Sequence, residues 1–407
     1  MTTAQQTADT QPITAAPSRN IVFALALGAG SAVASIYYTQ PVLSMIGNEL
    51  SLGIGTTGLI PTITQAGYAL GILFLLPLGD RHDRRTLIVL KSILLAAMLL
   101  IGSISPGLNT ILFTSLLIGI AATMAQDIVP AAAILSPKHL HGKTIGTVMT
   151  GLLVGILLSR TVSGVIAEYF GWRVVLQLAA IEILIIGFAL WKILPSFQTH
   201  ATMSYPKLLK SLAHLWADHP SLRYAAISQA FLAIAFSAFW SSLSLILHQR
   251  YQLGSDIAGA FGLLGAVGAL MARYAGSLSD RHGPALVTKL GSAILILSFA
   301  VMSFVPLLGT TNMQLVVLAI GTIGFDLGVQ ATLVSHQTIV YQIAPEARSR
   351  LNSVFFTVMF IGMASGSVLG TQLFAAGGYL SVMAIGVIAG VISLTIRFLA
   401  DRTTSHP

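Results

Sequence analysis

The sequence predicts an all-α integral membrane protein of twelve transmembrane helices, arranged as two related bundles of six. Three observations support this. Hydrophobic residues make up 55% of the 407 positions and charged residues only 8%, whereas a soluble domain carries about 25% charged residues to keep its surface wet. The apolar residues fall into a dozen runs, each near the roughly 20 residues needed to cross a bilayer core. Two charged turns, "LGDRH" at 78–82 and "LSDRH" at 278–282, each close the second run of a half.

Residues 1–18, "MTTAQQTADTQPITAAPS", are polar and lack the charged start and cleavage site of a signal peptide. They are expected to form a disordered tail ahead of a retained first span. Runs bounded by Gly, Pro or charge lie at 20–44, 54–78, 86–105, 109–136, 143–167, 173–195, 223–248, 255–278, 285–308, 312–343, 351–375 and 379–400. Helices are expected because lipid offers no partner for backbone polar groups and strand-like alternation is absent. The run at 312–343 exceeds one bilayer thickness and should tilt or project. The longest polar segment, 196–222, separates a first bundle (19–195) from a second (223–400), with a short tail at 401–407. Inside that linker, "YPKLLKSLAHLWA" places Leu208, Leu209, Leu212 and Leu215 at helical spacing, as in a helix lying on the membrane surface.

Charge sets the orientation. One set of loops holds Arg81, Arg84, Arg85, Lys138, Lys143, Lys207, Lys210, Arg223, Arg281, Arg348 and Arg350, while the opposite set offers Arg173 and Arg250. By the positive-inside rule the first set is cytoplasmic, and an even number of spans puts both termini there. The net charge of +8 therefore reads as topology rather than nucleic-acid binding. With no cysteine there are no disulfides or thiolate sites, and the ten histidines do not cluster as metal ligands. "HGKT" at 141–144 has Pro137 where a phosphate-binding loop needs its first glycine, and no strand precedes it. Neither an ATP-driven pump nor an enzyme is expected. Internal repeats of this kind mark secondary transporters, whose substrate site lies near the midplane between bundles.

The repeated turn resembles that of the major facilitator superfamily, G-x-L-x-D-R-x-G-R-[RK], along about residues 20 to 400. The first copy supplies Leu78, Asp80, Arg81, Arg84 and Arg85, with Leu76 and Asp83 in place of glycines. The second supplies Gly276, Leu278, Asp280, Arg281 and Gly283, followed by Pro284 and Ala285. The fifth run keeps small residues in the register of the family's drug/proton antiporter motif: Gly146, Gly155, Ser159, Ser163 and Gly164, with Arg160 at the proline position. "YYTQPVL" (37–43) and "PEARSRLNSVFF" (345–356) are similar to bacterial drug and metabolite exporters. The resemblance implies the twelve-helix fold, alternating access, a bacterial inner membrane location and no cofactor beyond a proton gradient. Its expected partners are protons, a small-molecule substrate and the lipid bilayer, with no nucleic acid. A monomer is expected because one chain already holds both halves.

The turn itself has a physical use. Asp80 and Asp280, with Arg81, Arg84, Arg85, Gly276 and Arg281, can form latches between bundles that hold one conformation and break in the other; alternatively they only stop helices at the headgroups. Within the runs, an ionisable group costs ~2.5–3.5 kcal/mol to insert and is a functional candidate. Four stand out: Asp127, Arg160, Glu182 and Asp326. Arg160 and Glu182, at similar depth on adjacent antiparallel runs, are expected to pair. Asp127 and Asp326 are either proton-titrating groups or local contacts to a neighbouring helix. Gln40, Gln126, Gln330, Tyr37, Tyr38, Phe236 and Trp240 are candidates for lining the cavity, or for packing. The favoured function is proton-driven export of drug-like compounds or small metabolites. An uptake symporter or uniporter is the alternative, and a non-transporting receptor a distant third.

Overall fold

A computed structural model describes residues 17–197, 203–270, 272–344 and 347–404. The terminal tails before 17 and after 404, and part of the linker, therefore lie outside the described residues. Nine helices among the described residues are long and apolar enough to cross a membrane, and the last of these, Arg348–Arg402, holds two spans. The first span is assembled from Arg19–Ala34 and the start of the helix Leu43–Glu49, whose polar end, Asn48 and Glu49, lies beyond the apolar run. The eighth is assembled from Ser255–Leu270 and Ala272–His282. Twelve spans result.

Helices overrun the apolar runs where polar residues continue them into the headgroup region. The fifth span is His141–Phe170 and the seventh Pro220–Tyr251, each about three residues longer at either end than its apolar run. The tenth, Thr311–Ile343, has 33 residues, about 50 Å at the helical rise, so it projects well beyond a core about 30 Å thick. Single glycines in the left-handed region make the tight turns between the last two spans of each half. Gly171 (φ 86°) joins the fifth span to the sixth, and Gly378 (φ 68°) joins the eleventh to the twelfth.

Three spans depart from regular helix at identifiable residues. In the first, Pro41 interrupts the backbone ladder within a 3-10 turn, Gln40–Val42. In the second, a π turn at Gly71–Leu75 runs into a 3-10 turn, Leu76–Asp80, that contains Pro77. In the fourth, the helix breaks at Thr123, between Leu108–Ala122 and Met124–Ile134.

Spans one and five pack closely. A Cβ on Gly30, Gly151 or Gly155 would overlap backbone of the facing helix, the small-residue contact that lets helices approach in lipid. Gly164 does the same against Ser255 and Gly259 of the eighth span, joining the two halves. Gly146, from the same sequence motif, faces open space.

The two ends of the interface differ. At the end remote from the termini, the halves are joined by hydrogen bonds between Ser44 and Ser244 (2.9 Å) and from Thr161 to the Gly259 carbonyl (2.9 Å). Ser255 to the Gly164 carbonyl (3.0 Å) and Ser367 to the Gly58 carbonyl (3.2 Å) add two more. At the end bearing the termini, a cavity of about 200 Å³ separates Asp80, Arg84 and Gln126 of the first half from Tyr341, Arg348 and Asn352 of the second. The linker helix, Tyr205–Asp218, does not lie free on the bilayer surface. Its Leu212 is buried with Leu222, Leu351 and Phe355 of the second half. Its Tyr205 hydroxyl donates to the Phe74 carbonyl in the π turn of the first (2.8 Å).

Candidate functional site

The first, fifth, seventh and tenth spans meet around Arg160. Close packing on glycines brings the fifth span against the first, where the break at Pro41 turns Gln40 toward it. Arg160 Nε donates to Gln40 Oε1 (2.8 Å). The guanidinium lies over the rings of Trp240 (4.3 Å to the centroid), Tyr37 (4.6 Å) and Phe236 (5.6 Å). Phe236 and Trp240 share one face of the seventh span by their i, i+4 spacing. Cation–π contacts of this kind strengthen when desolvated, and Arg160 is only 3% exposed.

Asp326, 4% exposed, comes from the tenth span. Gly265 of the eighth span makes room for it: a Cβ there would overlap Asp326 Oδ2 and crowd Trp240. Arg160 is within electrostatic reach of Asp326, yet no ion pair closes between them among the described residues. Four buried polar atoms in this cluster lack a hydrogen-bond partner: Gln40 Nε2, Arg160 Nη2, Trp240 Nε1 and Asp326 Oδ1. Buried polar groups are otherwise nearly always paired, so such a concentration marks a place that water or a ligand completes.

The remaining candidates sit elsewhere. Asp127 is fully buried but faces the third span, where Lys91 Nζ meets its Oδ2 at 2.6 Å and also donates to Thr123 (3.1 Å). It thus makes the local contact that the sequence left open as its alternative. Glu182 does not pair with Arg160. Although the two share a depth, Glu182 points to the exposed face of the sixth span and accepts from Ser31. Tyr38 is buried in the core beside Tyr37. Gln126 donates to the Tyr68 hydroxyl (3.1 Å) and lines the open cavity, and Gln330 is partly buried. Ser159 and Ser163 donate to carbonyls of their own helix.

Among the turn residues, Asp80 pairs with Arg84 of its own half (2.8 Å) and borders the open cavity. Arg85 donates to the Trp191 carbonyl in the sixth span. Arg81 is half-buried, and Asp280 and Arg281 are exposed. Gly276 approaches Val334 of the tenth span.

Three buried groups escaped the sequence reading: Lys91, His336, whose Nδ1 meets Gln229 Oε1 (2.8 Å), and Arg397, which donates to Thr288 (3.2 Å). Each lies inside an apolar run and was open to the same insertion-cost test that singled out Asp127. At the far end of the first half, Arg173 bonds Glu49 (2.8 Å) and the Ser103 and Ser105 carbonyls, and Trp172 also donates to Glu49. Partial burial pushes the Glu49 carboxyl up, but these hydrogen bonds and the Arg173 charge outweigh it and hold it below the ordinary range.

The chain is similar to known proteins over most of its length. The sequence model described as Major Facilitator Superfamily matches residues 25–335. The "Uncharacterized transporter YgaY" of Escherichia coli O157:H7 is 37% identical over 377 residues, 92% of this chain and 94% of its own. A "Probable sugar efflux transporter" of Mannheimia succiniciproducens is 24% identical over 357 residues, covering 87% and 86%. The crystal structure of a bacterial homologue of the human lysosomal transporter Spinster, inward-facing and unoccupied, superposes with a TM-score of 0.76 at 17% identity, covering 94% of this chain and 97% of that one.

Proposed function

The chain belongs to the Major Facilitator Superfamily, and from that premise we propose that it exports a small solute across the bacterial inner membrane by proton antiport. It is a multi-pass membrane transporter, not an enzyme. The observation that carries the proposal is the cluster of unpartnered polar atoms on Gln40, Arg160, Trp240 and Asp326, buried where the two halves meet. An unmet buried donor or acceptor costs about 1–3 kcal/mol, a cost that occupancy by substrate removes. Asp326 is the coupling group: proton and substrate compete for one carboxylate, so each displaces the other as the access side alternates.

The basic loops support a cytoplasmic position for the end bearing the termini. The cavity beside Asp80 then opens inward, and the hydrogen bonds around Ser44 and Ser255 close the outer side. Closing the inner side brings Asp80 toward Arg348 across that cavity, which is the latch. One chain suffices, with no cofactor beyond the proton gradient. The name of the Mannheimia relative supports the direction of transport. Uptake by symport is the second reading, favoured by Arg160 standing where the antiporter motif has proline.

Purified protein in proteoliposomes with an imposed pH gradient tests this. Inward protons should drive solute outward. Flux of proton and solute in one direction establishes symport instead, and flux indifferent to the gradient defeats proton coupling.

A further inference from the structure

We infer that the substrate is a small zwitterion, its carboxylate held by Arg160 and its protonated amine by Asp326. The inference rests on the reading of this cluster as the substrate site. Its basis is the inventory of unmet hydrogen-bonding capacity. Of the unmet atoms, Gln40 Nε2 and Arg160 Nη2 are donors beside the guanidinium, Asp326 Oδ1 is an acceptor, and the Trp240 indole N–H is directed at the Asp326 carboxylate. Gln40 contacts Arg160 directly through the 2.8 Å hydrogen bond. These two donors thus share one locus, and a carboxylate, with two accepting oxygens, can meet both. The lone acceptor is anionic and suits an N–H donor bearing positive charge.

Charge leads to the same conclusion. Arg160 and Asp326 are both withdrawn from solvent and within electrostatic reach, but they do not close on one another. A ligand of single charge would leave one of them buried without compensation, which is the costly state for an ion in a low-dielectric site. A zwitterion satisfies both and keeps the occupied site neutral. The aromatic rings add little to ligand contact, because Tyr37, Phe236 and Trp240 are turned to the guanidinium. They hold Arg160 in place and leave its Nη2 for the ligand.

The test is equilibrium binding to the full-length protein in detergent, read by thermal stabilisation and tryptophan fluorescence with no gradient applied. The probes are L-amino acids, each matched with the amine lacking its carboxylate and the carboxylic acid lacking its amine, plus glucose. At least one amino acid should bind at least tenfold more tightly than both of its matched analogues. Arg160→Gln should abolish that binding and Arg160→Lys should retain part of it, a contrast that a mere folding role would not give. Asp326→Asn should shift preference toward the carboxylic acid. Equal binding of an analogue, stabilisation by glucose alone, or no binding by any amino acid overturns the inference. The two readings fail separately. Zwitterion binding with gradient-independent flux defeats proton coupling alone, while proton-driven flux of another solute without zwitterion binding defeats this inference alone.

Discussion

Two buried pairings of opposite charge sit in one molecule and are built differently. Lys91 and Asp127 belong to adjacent spans of the first half and close at 2.6 Å, with Thr123 as a further partner. Arg160 and Asp326 come from different halves and stay apart, so both Arg160 Nη2 and Asp326 Oδ1 are unmet, whereas the closed pair leaves only Asp127 Oδ1 unmet. The closed pair recovers part of its desolvation cost by direct contact. The open pair leaves that recovery to whatever enters between the halves. A buried charge is thus structural when its partner lies within its own rigid bundle, and available to a ligand when its partner lies across the moving interface.

Breaking the closed pair should have the largest effect. Lys91→Ala leaves Asp127 buried without its closed ion pair, and thermal unfolding in detergent should record a loss of about 3–5 kcal/mol. The Lys91→Met, Asp127→Leu double variant should recover most of it. Full stability of Lys91→Ala would erase the distinction drawn here. The same treatment of the open pair should act differently. Asp326→Asn should lower thermal stability less than Lys91→Ala does, because it breaks no closed contact with Arg160. Gradient-driven transport should fall by about 2–3 kcal/mol or more, at least thirtyfold in rate.

A smaller loss is expected at the inner gate. Asp80→Asn should express and fold normally yet lower transport roughly tenfold or more, matching one charge-assisted hydrogen bond of about 1.5–3 kcal/mol in the closed-inside state. Normal transport by a well-folded Asp80→Asn protein would remove the latch. The smallest effect belongs to Glu49, part-exposed at the far end. Its carboxyl titrates below the ordinary range in the folded protein. The stability it contributes is therefore present above the unfolded carboxylate pKa and lost as pH falls through the depressed folded value. Its ion pair with Arg173 should contribute less than about 1 kcal/mol. Glu49→Gln should flatten the acid limb of the stability profile by that amount and leave transport at neutral pH unchanged.

The fold was readable from the chain because the cost of placing a run in lipid is a local property. Apolar runs, the linker between the halves and the repeated turns at Asp80 and Asp280 need no knowledge of neighbours. The ionisable residues within runs were likewise visible one at a time, although Lys91, His336 and Arg397 were passed over. Their partnerships were not visible. Depth suggested Arg160 with Glu182, but Glu182 faces outward and Arg160 is enclosed by Gln40, Tyr37 and Trp240.

The physical reason lies in the solvent. A helix in water shows its buried face as an apolar stripe, but lipid is as apolar as a protein interior, so a transmembrane helix is apolar all round. Composition and spacing therefore dictated how many helices cross, where they turn and which end is basic. Helix rotation, the glycine contacts at Gly30, Gly155 and Gly164 and the break at Pro41 then decided which charges meet, and which pair stays open.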